Sequence, residues 1–381
     1  MTDRLDVVVF GATGFTGALA SEYLAAHAPP GTRWAIAGRD RGKLAALRSR
    51  LTGPCPPAEL VIADIGEPGS MRSMAERARV VLTTVGPYRT RGEPALRAAV
   101  EGGAHYVDIT GEPAFVQMSL EKYDGPARER GVRVVSCCGF ESIVPDLGAQ
   151  FTAGLLPSDQ PMRIDALVRS RGTFSGGTWQ SALHAFSTER LARPRQRPPS
   201  TGRRARLDMG RIRRIPELGC WAVPLPMIDP QIVLRSARTL DLYGPDFVYG
   251  HYARVRRLPT VVAGLGAVAA VVLLSRLGPT RRLLQDLRKE GEGPSAEERA
   301  RSWFEMTFLG EGGGKRVTTS VSGGDPGYTE TAKMVAESAL CLAQDRLLPP
   351  RAGVLTPAVA MGETLRARLV RAGIRFQVVE R

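Results

Sequence analysis

Three glycines spaced three residues apart follow a short apolar run near the start of the chain. The run covers residues 6–10, and Gly11, Gly14 and Gly17 come directly after it, followed by an amphipathic segment. In a site for a dinucleotide pyrophosphate, the first glycine permits a tight turn, the second lets the backbone approach the phosphates, and the third lets the helix pack on the strand. The N–H groups of the first helical turn then face the anion. The motif therefore predicts dinucleotide binding; the alternative is an ordinary glycine-rich turn between a strand and a helix.

A basic residue ends the second predicted strand, residues 33–38. An acidic residue at this position binds the ribose 2′-hydroxyl of NAD, whereas an arginine accommodates the 2′-phosphate of NADP. Here the residue is Arg39, with Arg41 and Lys43 close behind it, and Asp40 lies one position too late for the usual ribose ligand. The sequence predicts NADP(H) rather than NAD(H); the alternative is a surface arginine near the start of a helix.

Further candidate ligands follow the other predicted strands, because ligands of such sheets bind beyond the carboxyl ends of the strands. Asp64 ends the third strand and is expected on the adenine side of the cofactor. The turn Gly86-Pro87-Tyr88 follows the fourth strand and is expected beside the nicotinamide half. Two more predicted strand ends carry polar or small residues: Thr110-Gly111-Glu112 after 106–109, and 137–140 after 132–136.

A site that transfers hydride also needs a source of protons. None of the eight tyrosines has a lysine four positions later, so the Tyr-x-x-x-Lys pair of short-chain dehydrogenases is absent from the sequence. Tyr88 is our candidate for a catalytic proton donor; the alternative is a tyrosine that packs against the cofactor. Glu112, Ser142 and His105 are further candidates, with structural hydrogen bonding as their alternative. Water can also protonate an enolate without any side-chain acid.

Six short β runs that alternate with helical segments must position these groups, and they predict a doubly wound parallel sheet. Further along the chain, residues 163–168 alternate like a strand, and 302–309 and 316–322 predict paired strands joined by a glycine-rich turn. Residues 327–342 predict a long helix. A length of 381 residues exceeds that of most single domains, so we expect two.

The composition is that of an ordinary globular protein, with 43% hydrophobic and 24% charged residues. The first five residues lead straight into a strand and do not have the pattern of a signal peptide. The five cysteines form no CxxC pair and no cluster with the four histidines. We therefore expect a reducing cytoplasm, no disulfides and no metal site.

Most of the net charge of +14 comes from one segment, residues 190–214. This segment holds ten arginines, three prolines and a single acidic residue, Asp208. Its composition predicts an exposed loop. Because no aromatic residues are interleaved with the arginines, we do not expect binding to nucleic acid. Two interpretations stay open: a solvated loop, or a docking patch for an acidic partner such as anionic lipid or a carrier protein.

An uncharged apolar run covers residues 258–275, with arginines on both sides. Eighteen residues are close to the lower limit for a membrane-spanning helix, and cationic flanks on both sides give no orientation. A span would also separate the second domain from the C-terminal part of the chain. We therefore favour a helix that lies on a membrane surface, covers an acyl pocket or forms a contact in a homo-oligomer. Burial in the core is the alternative.

Taken in order, the motifs resemble those of a known family. The chain is similar to the saccharopine dehydrogenase-like oxidoreductases, and most of all to the trans-acting enoyl reductases of actinobacterial lipid biosynthesis. One departure is Glu141, where the family pattern commonly has aspartate. Six segments carry the resemblance: GATGFTG (11–17), AGR (37–39), VGPY (85–88), YVDITGE (106–112), GFESIVPDLG (139–148) and GVLTPA (353–358).

The resemblance implies an α/β fold in three parts. Residues 1–150 are expected to form an NADP-binding Rossmann domain, and 151–325 an inserted α+β domain for the substrate, which contains the basic and apolar segments. Residues 326–381 are expected to pack back on the Rossmann domain. The implied contacts to NADP(H) are Gly11, Thr13, Gly14, Phe15, Thr16, Gly17, Arg39, Asp64, Gly86, Pro87 and Tyr88.

The resemblance also implies a reaction. It is the NADPH-dependent reduction of a carbon–carbon double bond in an acyl thioester, which the acyl-carrier domain of a polyketide synthase delivers. Together with the apolar run, it indicates a cytoplasmic protein in peripheral contact with the inner face of the plasma membrane. Two other functions stay open. One is a saccharopine-type amino-acid dehydrogenase, whose site needs arginines that converge on substrate carboxylates. The other is a non-catalytic NADP-binding adaptor on a membrane or lipid surface.

Overall fold

The computed structural model describes residues 4–172, 203–208, 210–225, 228–263, 266 and 293–380. The chain divides into two compact units. The first unit consists of Met1–Leu147 and Gly324–Ile374, and the second of Gly148–Gly323 and Arg375–Arg381. The chain therefore passes from the first unit to the second, returns to the first, and ends in the second.

Strands and helices are numbered in chain order across the described residues. The strands are β1 (Leu5–Phe10), β2 (Trp34–Gly38), β3 (Glu59–Ile62), β4 (Ala78–Thr83), β5 (His105–Asp108), β6 (Arg133–Val135), β7 (Met162–Arg171), β8 (Arg204–Leu207), β9 (Arg213–Ile215), β10 (Cys220–Pro224), β11 (Asp246–Val255), β12 (Trp303–Gly312), β13 (Lys315–Gly323), β14 (Gly353–Leu355) and β15 (Arg375–Glu380). The helices are α1 (Phe15–His27), α2 (Arg41–Arg50), α3 (Pro68–Glu76), α4 (Tyr88–Arg91), α5 (Glu93–Gly102), α6 (Pro113–Glu129), α7 (Phe140–Ala153), α8 (Asp229–Thr239), α9 (Ala296–Ala300), α10 (Thr329–Gln344), α11 (Pro357–Ala360) and α12 (Gly362–Arg371).

The sheet of the first unit is parallel and doubly wound. Its strands lie in the order β14-β6-β5-β4-β1-β2-β3, and every neighbouring pair runs parallel. The strand order reverses between β1 and β4, and such a reversal opens a crevice for a ligand at the carboxyl ends of the strands. The predicted α/β fold with a doubly wound sheet is confirmed.

Both faces of this sheet are covered. All residues of β2 are buried, and β1 and β4 each have one residue that is not. Such nearly continuous apolar runs are typical of parallel strands between two layers of helices. On one side, α3 and α5 pack against each other and against β4, while α10 packs against α1, β1, β4 and β5.

The C-terminal part of the first unit completes its sheet and one helical layer. β14 pairs in parallel with β6 and adds a seventh strand to the sheet. The long helix predicted over residues 327–342 is α10. It is joined to its neighbours by Glu337, which accepts a hydrogen bond from the Tyr23 hydroxyl of α1 at 2.7 Å and pairs with Arg368 of α12 at 3.1 Å.

The second unit is built on a mixed sheet in the order β15-β13-β12-β7-β11-β10-β9, with β8 also pairing with β11. β11 runs parallel to β7 and β8, and the other neighbouring pairs are antiparallel. The predicted pairing of residues 302–309 with 316–322 is confirmed by the β12–β13 hairpin, in which Leu309 lies opposite Thr318.

Part of the basic segment differs from the predicted loop. Residues 190–202 lie outside the described part of the chain, but Arg204–Leu207 form β8 and Arg213–Ile215 form β9. β8 pairs with the first half of β11, and β9 pairs with β10. The prediction was wrong here because it depended on composition, whereas backbone pairing at a sheet edge leaves the arginine side chains in solvent.

The end of the chain also departs from the predicted domains. The prediction placed residues 375–380 with the Rossmann unit, but they belong to the second unit, where they form β15 and pair antiparallel with β13. The ring of Phe376 lies edge-on to Phe151, with centroids 6.1 Å apart. The alternation of apolar and polar residues in 375–380 suits an edge strand with one face on a core, and the sequence prediction overlooked this pattern.

The apolar run of residues 258–275 is described only at 258–263 and 266. Residues 258–263 are helical. Leu258 is 46% exposed and Val262 is 64% exposed, whereas Val261 is buried. Across the described ranges, no helix combines the length and the apolar character needed to cross a membrane.

Candidate functional site

The glycine turn after β1 leaves no room for side chains at two positions. Gly11 has a φ of +85°, which favours glycine. A Cβ on Gly17 would lie 2.2 Å from the carbonyl oxygen of Gly11 and 2.8 Å from Oγ1 of Thr84. The first turn of α1 therefore lies directly against the end of β1 and the loop after β4. This is the close helix–strand approach expected of the third glycine in a pyrophosphate-binding turn.

Hydrogen bonds fix this turn between the two neighbouring strands. The N–H groups of Gly11 and Ala12 donate to the carbonyl of Ala37 at 3.0 and 3.3 Å. On the other side, the hydroxyl of Thr84 donates to the carbonyl of Gly11 at 3.3 Å. The turn is thus attached to the ends of both β2 and β4, so that its position is set before any ligand binds.

The tip of the turn is open to solvent. Thr13 and Gly14 are exposed, and α1 begins immediately afterwards with Phe15 and Thr16. Gly14 is the N-cap residue and has no side chain that would occupy the space before the helix. Since the first N–H groups of a helix have no acceptor in the preceding turn, this end of α1 fits a pyrophosphate. The ring of Phe15 is braced by Tyr328, with centroids 4.7 Å apart.

The basic residue after β2 is placed as an NADP site requires. Arg39 is exposed at the carboxyl end of β2. The carboxylate of Asp40 accepts a hydrogen bond from the N–H of Lys43 at 3.0 Å and caps α2. Asp40 therefore has a structural partner, and Arg39, Arg41 and Lys43 surround the start of α2 with positive charge. This arrangement fits a 2′-phosphate.

Asp64 follows β3, the strand beyond β2. Its carboxylate accepts a hydrogen bond from the N–H of Gly66 at 2.9 Å, and its own N–H donates to the hydroxyl of Ser70 at 3.0 Å. Hydrogen bonds within the loop that carries Asp64 therefore fix its conformation. It lies at the carboxyl edge of the sheet on the same side as Arg39, which is the adenine side in a sheet of this order.

Tyr88 is a buried part of the sheet edge. It follows a cis peptide bond between Gly86 and Pro87. Its hydroxyl donates to the carbonyl of Thr83 at 3.1 Å and accepts from the N–H of Ile109 at 3.4 Å. Burial raises the pKa of Tyr88 well above its ordinary value. This geometry indicates a structural role for the hydroxyl rather than proton donation; packing of the ring against the cofactor, the alternative named above, stays a prediction.

Glu112 connects the loops after β4 and β5. Its carboxylate accepts hydrogen bonds from the N–H groups of Tyr88 and Arg89 at 2.8 and 2.9 Å, at the start of α4. Its own N–H donates to the hydroxyl of Thr110 at 3.1 Å. The expected alternative for Glu112, hydrogen bonding to backbone, is the role that the structure gives it.

Asp108 is a buried carboxylate beside the candidate site that the sequence analysis did not single out. It is fully buried at the end of β5, and its carboxylate accepts from the N–H groups of Thr110 and Cys137 at 2.9 and 3.0 Å and from the hydroxyl of Ser136 at 2.9 Å. Burial raises its pKa from 3.8 to about 6. An acidic residue inside the apolar strand Tyr106-Val107-Asp108-Ile109 was the available signal.

The remaining proton-donor candidates lie in different places. His105 begins β5 at the opposite edge of the sheet, where its Nδ1 accepts the N–H of Arg133 at 3.0 Å and burial lowers its pKa to about 4. Ser142 is buried in the first turn of α7. Glu141 lies beside Gly111: a Cβ added to Gly111 would be 3.0 Å from Oε2 of Glu141. The structure thus brings Glu141, but not His105, to the edge that carries the glycine turn.

The order of the strands determines where each of these residues lies along the carboxyl edge of the sheet. The loops after β1 and β4 flank the crevice where the order reverses, Arg39 and Asp64 lie beyond it on one side, and the loops joined by Asp108 and Glu112 lie on the other. A dinucleotide laid across this edge places its pyrophosphate on the glycine turn and its nicotinamide beside the joined loops. The first unit is therefore a dinucleotide-binding domain of the Rossmann type.

Comparisons with known proteins agree with this site. Residues 7–135 match the model of the saccharopine dehydrogenase NADP binding domain. The chain is 37% identical, over 98% of its length and 97% of the other, to a Mycobacterium tuberculosis protein provisionally named a trans-acting enoyl reductase. It is 32% identical, over 98% of its length and 97% of the other, to the saccharopine dehydrogenase-like oxidoreductase of Bos taurus. The chain belongs to the saccharopine dehydrogenase-like oxidoreductase family.

A solved structure shares the fold. Apo saccharopine dehydrogenase (L-Glu forming) from Saccharomyces cerevisiae superposes with a TM-score of 0.55 over 98% of this chain and 99% of that one, at 11% identity. At this identity the likeness concerns the fold alone. The family resemblance, the oxidoreductase class and the NADP(H) cofactor predicted from the sequence are confirmed.

Proposed function

We propose that this oxidoreductase is a trans-acting enoyl reductase. It uses NADPH to reduce a carbon–carbon double bond in an acyl thioester carried by the acyl-carrier domain of a polyketide synthase. The observation that carries the proposal is the likeness, over almost the full length of both chains, to a mycobacterial protein with that name. The saccharopine-type alternative has no comparable support, because the TM-score of the yeast enzyme concerns the fold alone.

The cofactor supplies the hydride, and the residues of the first unit hold it in place. We infer that Gly11, Thr13, Gly14, Phe15, Thr16 and Gly17 bind the pyrophosphate, Arg39 the 2′-phosphate, Asp64 the adenine side, and Gly86, Pro87 and Tyr88 the nicotinamide half. The hydroxyl of Tyr88 is already hydrogen-bonded to the backbone of Thr83 and Ile109. We therefore expect water to protonate the carbon of the double bond that does not receive the hydride.

Arginines of the second unit offer a further reason to prefer an acyl substrate over an amino acid with several carboxylates. Arg163 pairs with Asp165 at 3.0 Å, and Arg169 and Arg254 both pair with Glu305, at 3.0 and 2.9 Å. These guanidinium groups are held by carboxylates of the same chain. Among the described residues, these three arginines therefore already have carboxylate partners within the chain.

A screen of NADPH oxidation tests the proposal. The purified protein is mixed with NADPH and α,β-unsaturated acyl thioesters, then with NADPH and β-keto acyl thioesters, and separately with saccharopine and NADP+, because a secondary amine must be oxidised and therefore needs the oxidised cofactor. Turnover of the enoyl thioesters alone is expected, and product mass should rise by two hydrogens. Activity on saccharopine would establish the amino-acid dehydrogenase instead. NADPH binding without any turnover would favour the non-catalytic adaptor.

The assigned role of Arg39 has its own test. Replacing Arg39 with glutamine removes a charge-assisted contact to the 2′-phosphate, and such contacts contribute about 1.5–3 kcal/mol. We expect the Kd for NADPH to rise by about tenfold to a hundredfold, with the Kd for NADH unchanged. The matched control is Arg50→Gln at the exposed end of α2. If Arg39→Gln weakens the binding of NADPH and of NADH equally, Arg39 does not bind the 2′-phosphate.

We infer that the protein works in the cytoplasm, where carrier-bound intermediates are made, with peripheral contact to the inner face of the plasma membrane. A relative supports contact with lipid in general: the chain is 34% identical to a protein of Caenorhabditis elegans named for its localisation to lipid droplets. Homo-oligomer formation stays a prediction from the apolar run.

A further inference from the structure

We propose that one end of the second unit's sheet binds the surface of an anionic lipid bilayer. The bilayer-binding surface, as we call it, consists of six side chains: Arg171, Arg256, Arg257, Leu258, Val262 and Trp303. This proposal does not depend on the reductase activity, since all six residues belong to the second unit and lie outside the cofactor site.

Strand register brings these residues to one end of the sheet. Trp303, the first residue of β12, lies directly opposite Arg171, the last residue of β7. β11 runs parallel to β7, with Ala253 opposite Val168, so β11 ends at the same edge. Arg256 and Arg257 follow the last residue of β11 in the sequence, and the helical segment 258–263 begins directly after them.

The apolar members of the surface are exposed side by side. Leu258 is 46% exposed and Val262 is 64% exposed. Residues four positions apart lie on one face of a helix, so both side chains point the same way, whereas Val261 is buried. Trp303, at the same end of the sheet, adds a large side chain that is 38% exposed. Exposed aliphatic side chains and an indole at one end of a sheet suit a membrane interface.

The cations around them carry a surplus of positive charge. Arg169 stacks over the ring of Trp303 at 5.3 Å, and the nearby carboxylate of Glu305 is shared by Arg169 and Arg254. The carboxylate of Glu305, two residues after Trp303, is thus matched by two guanidinium groups. Arg171, Arg256 and Arg257 form no ion pair with another described residue, and all three are exposed. They are available to lipid phosphates.

The combination favours a bilayer over an acidic protein. An acidic protein surface requires the arginines alone, whereas a bilayer interface accepts the arginines in its headgroup layer and the aliphatic side chains below it. In the sequence, the uncharged run that begins at Leu258 continues to residue 275. The apolar members of the surface are therefore the feature that distinguishes the two partners.

Co-sedimentation with vesicles tests the proposal. The full chain is mixed with vesicles of phosphatidylcholine alone, or of phosphatidylcholine and phosphatidylglycerol in equal parts. We expect binding to the anionic vesicles, and the double variant Arg256→Glu/Arg257→Glu should lower partitioning by at least about tenfold. The variant Leu258→Ser/Val262→Ser should bind at low salt but lose the residual binding that the native chain keeps at high salt.

The β12–β13 hairpin provides a matched control at the opposite end of the same sheet. Lys315 and Arg316 are exposed there, and Lys315→Glu/Arg316→Glu makes the same change in net charge. This variant should bind like the native chain, and thermal unfolding followed by circular dichroism reports that all variants are folded. Equal losses in both charge-reversal variants would overturn the proposal, as would absent binding of the native chain at low salt. If Leu258→Ser/Val262→Ser binds like the native chain at every salt concentration, the aliphatic side chains do not enter the bilayer, and the choice of a bilayer over an acidic protein is overturned.

Discussion

At the scale of single residues, sterics and burial determine what the cofactor site tolerates. The glycine spacing was sufficient to predict the turn after β1, because every strand-to-helix pyrophosphate turn meets the same steric limits. The spacing does not reveal what the turn touches. Thr84, which contacts both Gly11 and the space beside Gly17, comes from a distant part of the sequence.

Replacing Gly17 with alanine tests this crowding. The added methyl group would lie 2.2 Å from the carbonyl oxygen of Gly11, so α1 must move away from β1. We expect a loss of about 1–3 kcal/mol in the free energy of unfolding, and a rise of at least about tenfold in the Kd for NADPH, measured by fluorescence titration. Gly69→Ala in α3 is the matched control, because nothing lies within 4 Å of the Cβ position. Unchanged NADPH affinity in Gly17→Ala would contradict the assigned role.

The raised pKa of Asp108 predicts that stability depends on pH. Its pKa is raised from 3.8 to about 6 by burial, so between about pH 4 and pH 6 the folded state keeps a proton that the unfolded chain has lost. The contribution of Asp108 to the free energy of unfolding therefore falls by about 3 kcal/mol as pH rises through this range, and it is constant above it. Asp108→Asn, which cannot ionise, should lack this decline in urea unfolding followed by circular dichroism. Parallel pH profiles for the two proteins would refute it.

At the scale of elements, hydrogen bonds from side chains join loops that the sheet alone leaves separate. The six β runs of the Rossmann unit were predictable because each is a buried apolar segment between turn residues. β14 is three residues long, and its partner β6 lies far away in the sequence, so local pattern carries little information about it. The sequence analysis also missed β8, because a local pattern rich in arginine is typical of a solvated loop.

The hydrogen bonds of Glu112 join the loops after β4 and β5, and this role can be tested directly. Both of its carboxylate oxygens accept N–H groups from the first turn of α4, and the amide of Glu112→Gln can accept only one of them while its NH₂ group faces the other donor. We expect a loss of about 1–3 kcal/mol in the free energy of unfolding, with faster hydrogen exchange in residues 86–92. Glu129→Gln, at the exposed end of α6, should have no such effect. If exchange in residues 86–92 is unchanged, Glu112 does not hold this loop.

At the scale of the whole molecule, the order of the chain matters more than any single contact. The chain enters the second unit at Gly148 and leaves it at Gly323, yet its last residues return to form β15. The sequence analysis predicted the insertion from the family resemblance. It did not predict β15, because a six-residue edge strand at the end of a chain has no flanking motif that assigns it to one sheet or the other.

Deleting residues 375–381 tests the place of β15. The deletion removes the antiparallel partner of β13 and the contact between Phe376 and Phe151. Hydrogen exchange of the β13 amides should become at least about tenfold faster, while the Kd for NADPH stays the same because the cofactor site lies in the first unit. Val379→Ser, at a side chain that is 64% exposed, is the control. A comparable loss of NADPH affinity on deletion would contradict the division into units.

The two returns of the chain have a consequence for its synthesis. A ribosome builds the chain from its amino end, and domains that are contiguous can fold as soon as they emerge. Here the parallel sheet lacks β14 until residue 355 is made, and the mixed sheet lacks β15 until residues 375–380 are made. Before those points, β6 and β13 present unpaired edges, which are templates for aggregation. A nascent chain of this protein therefore needs protection at β6 until β14 is made, and at β13 until β15 is made.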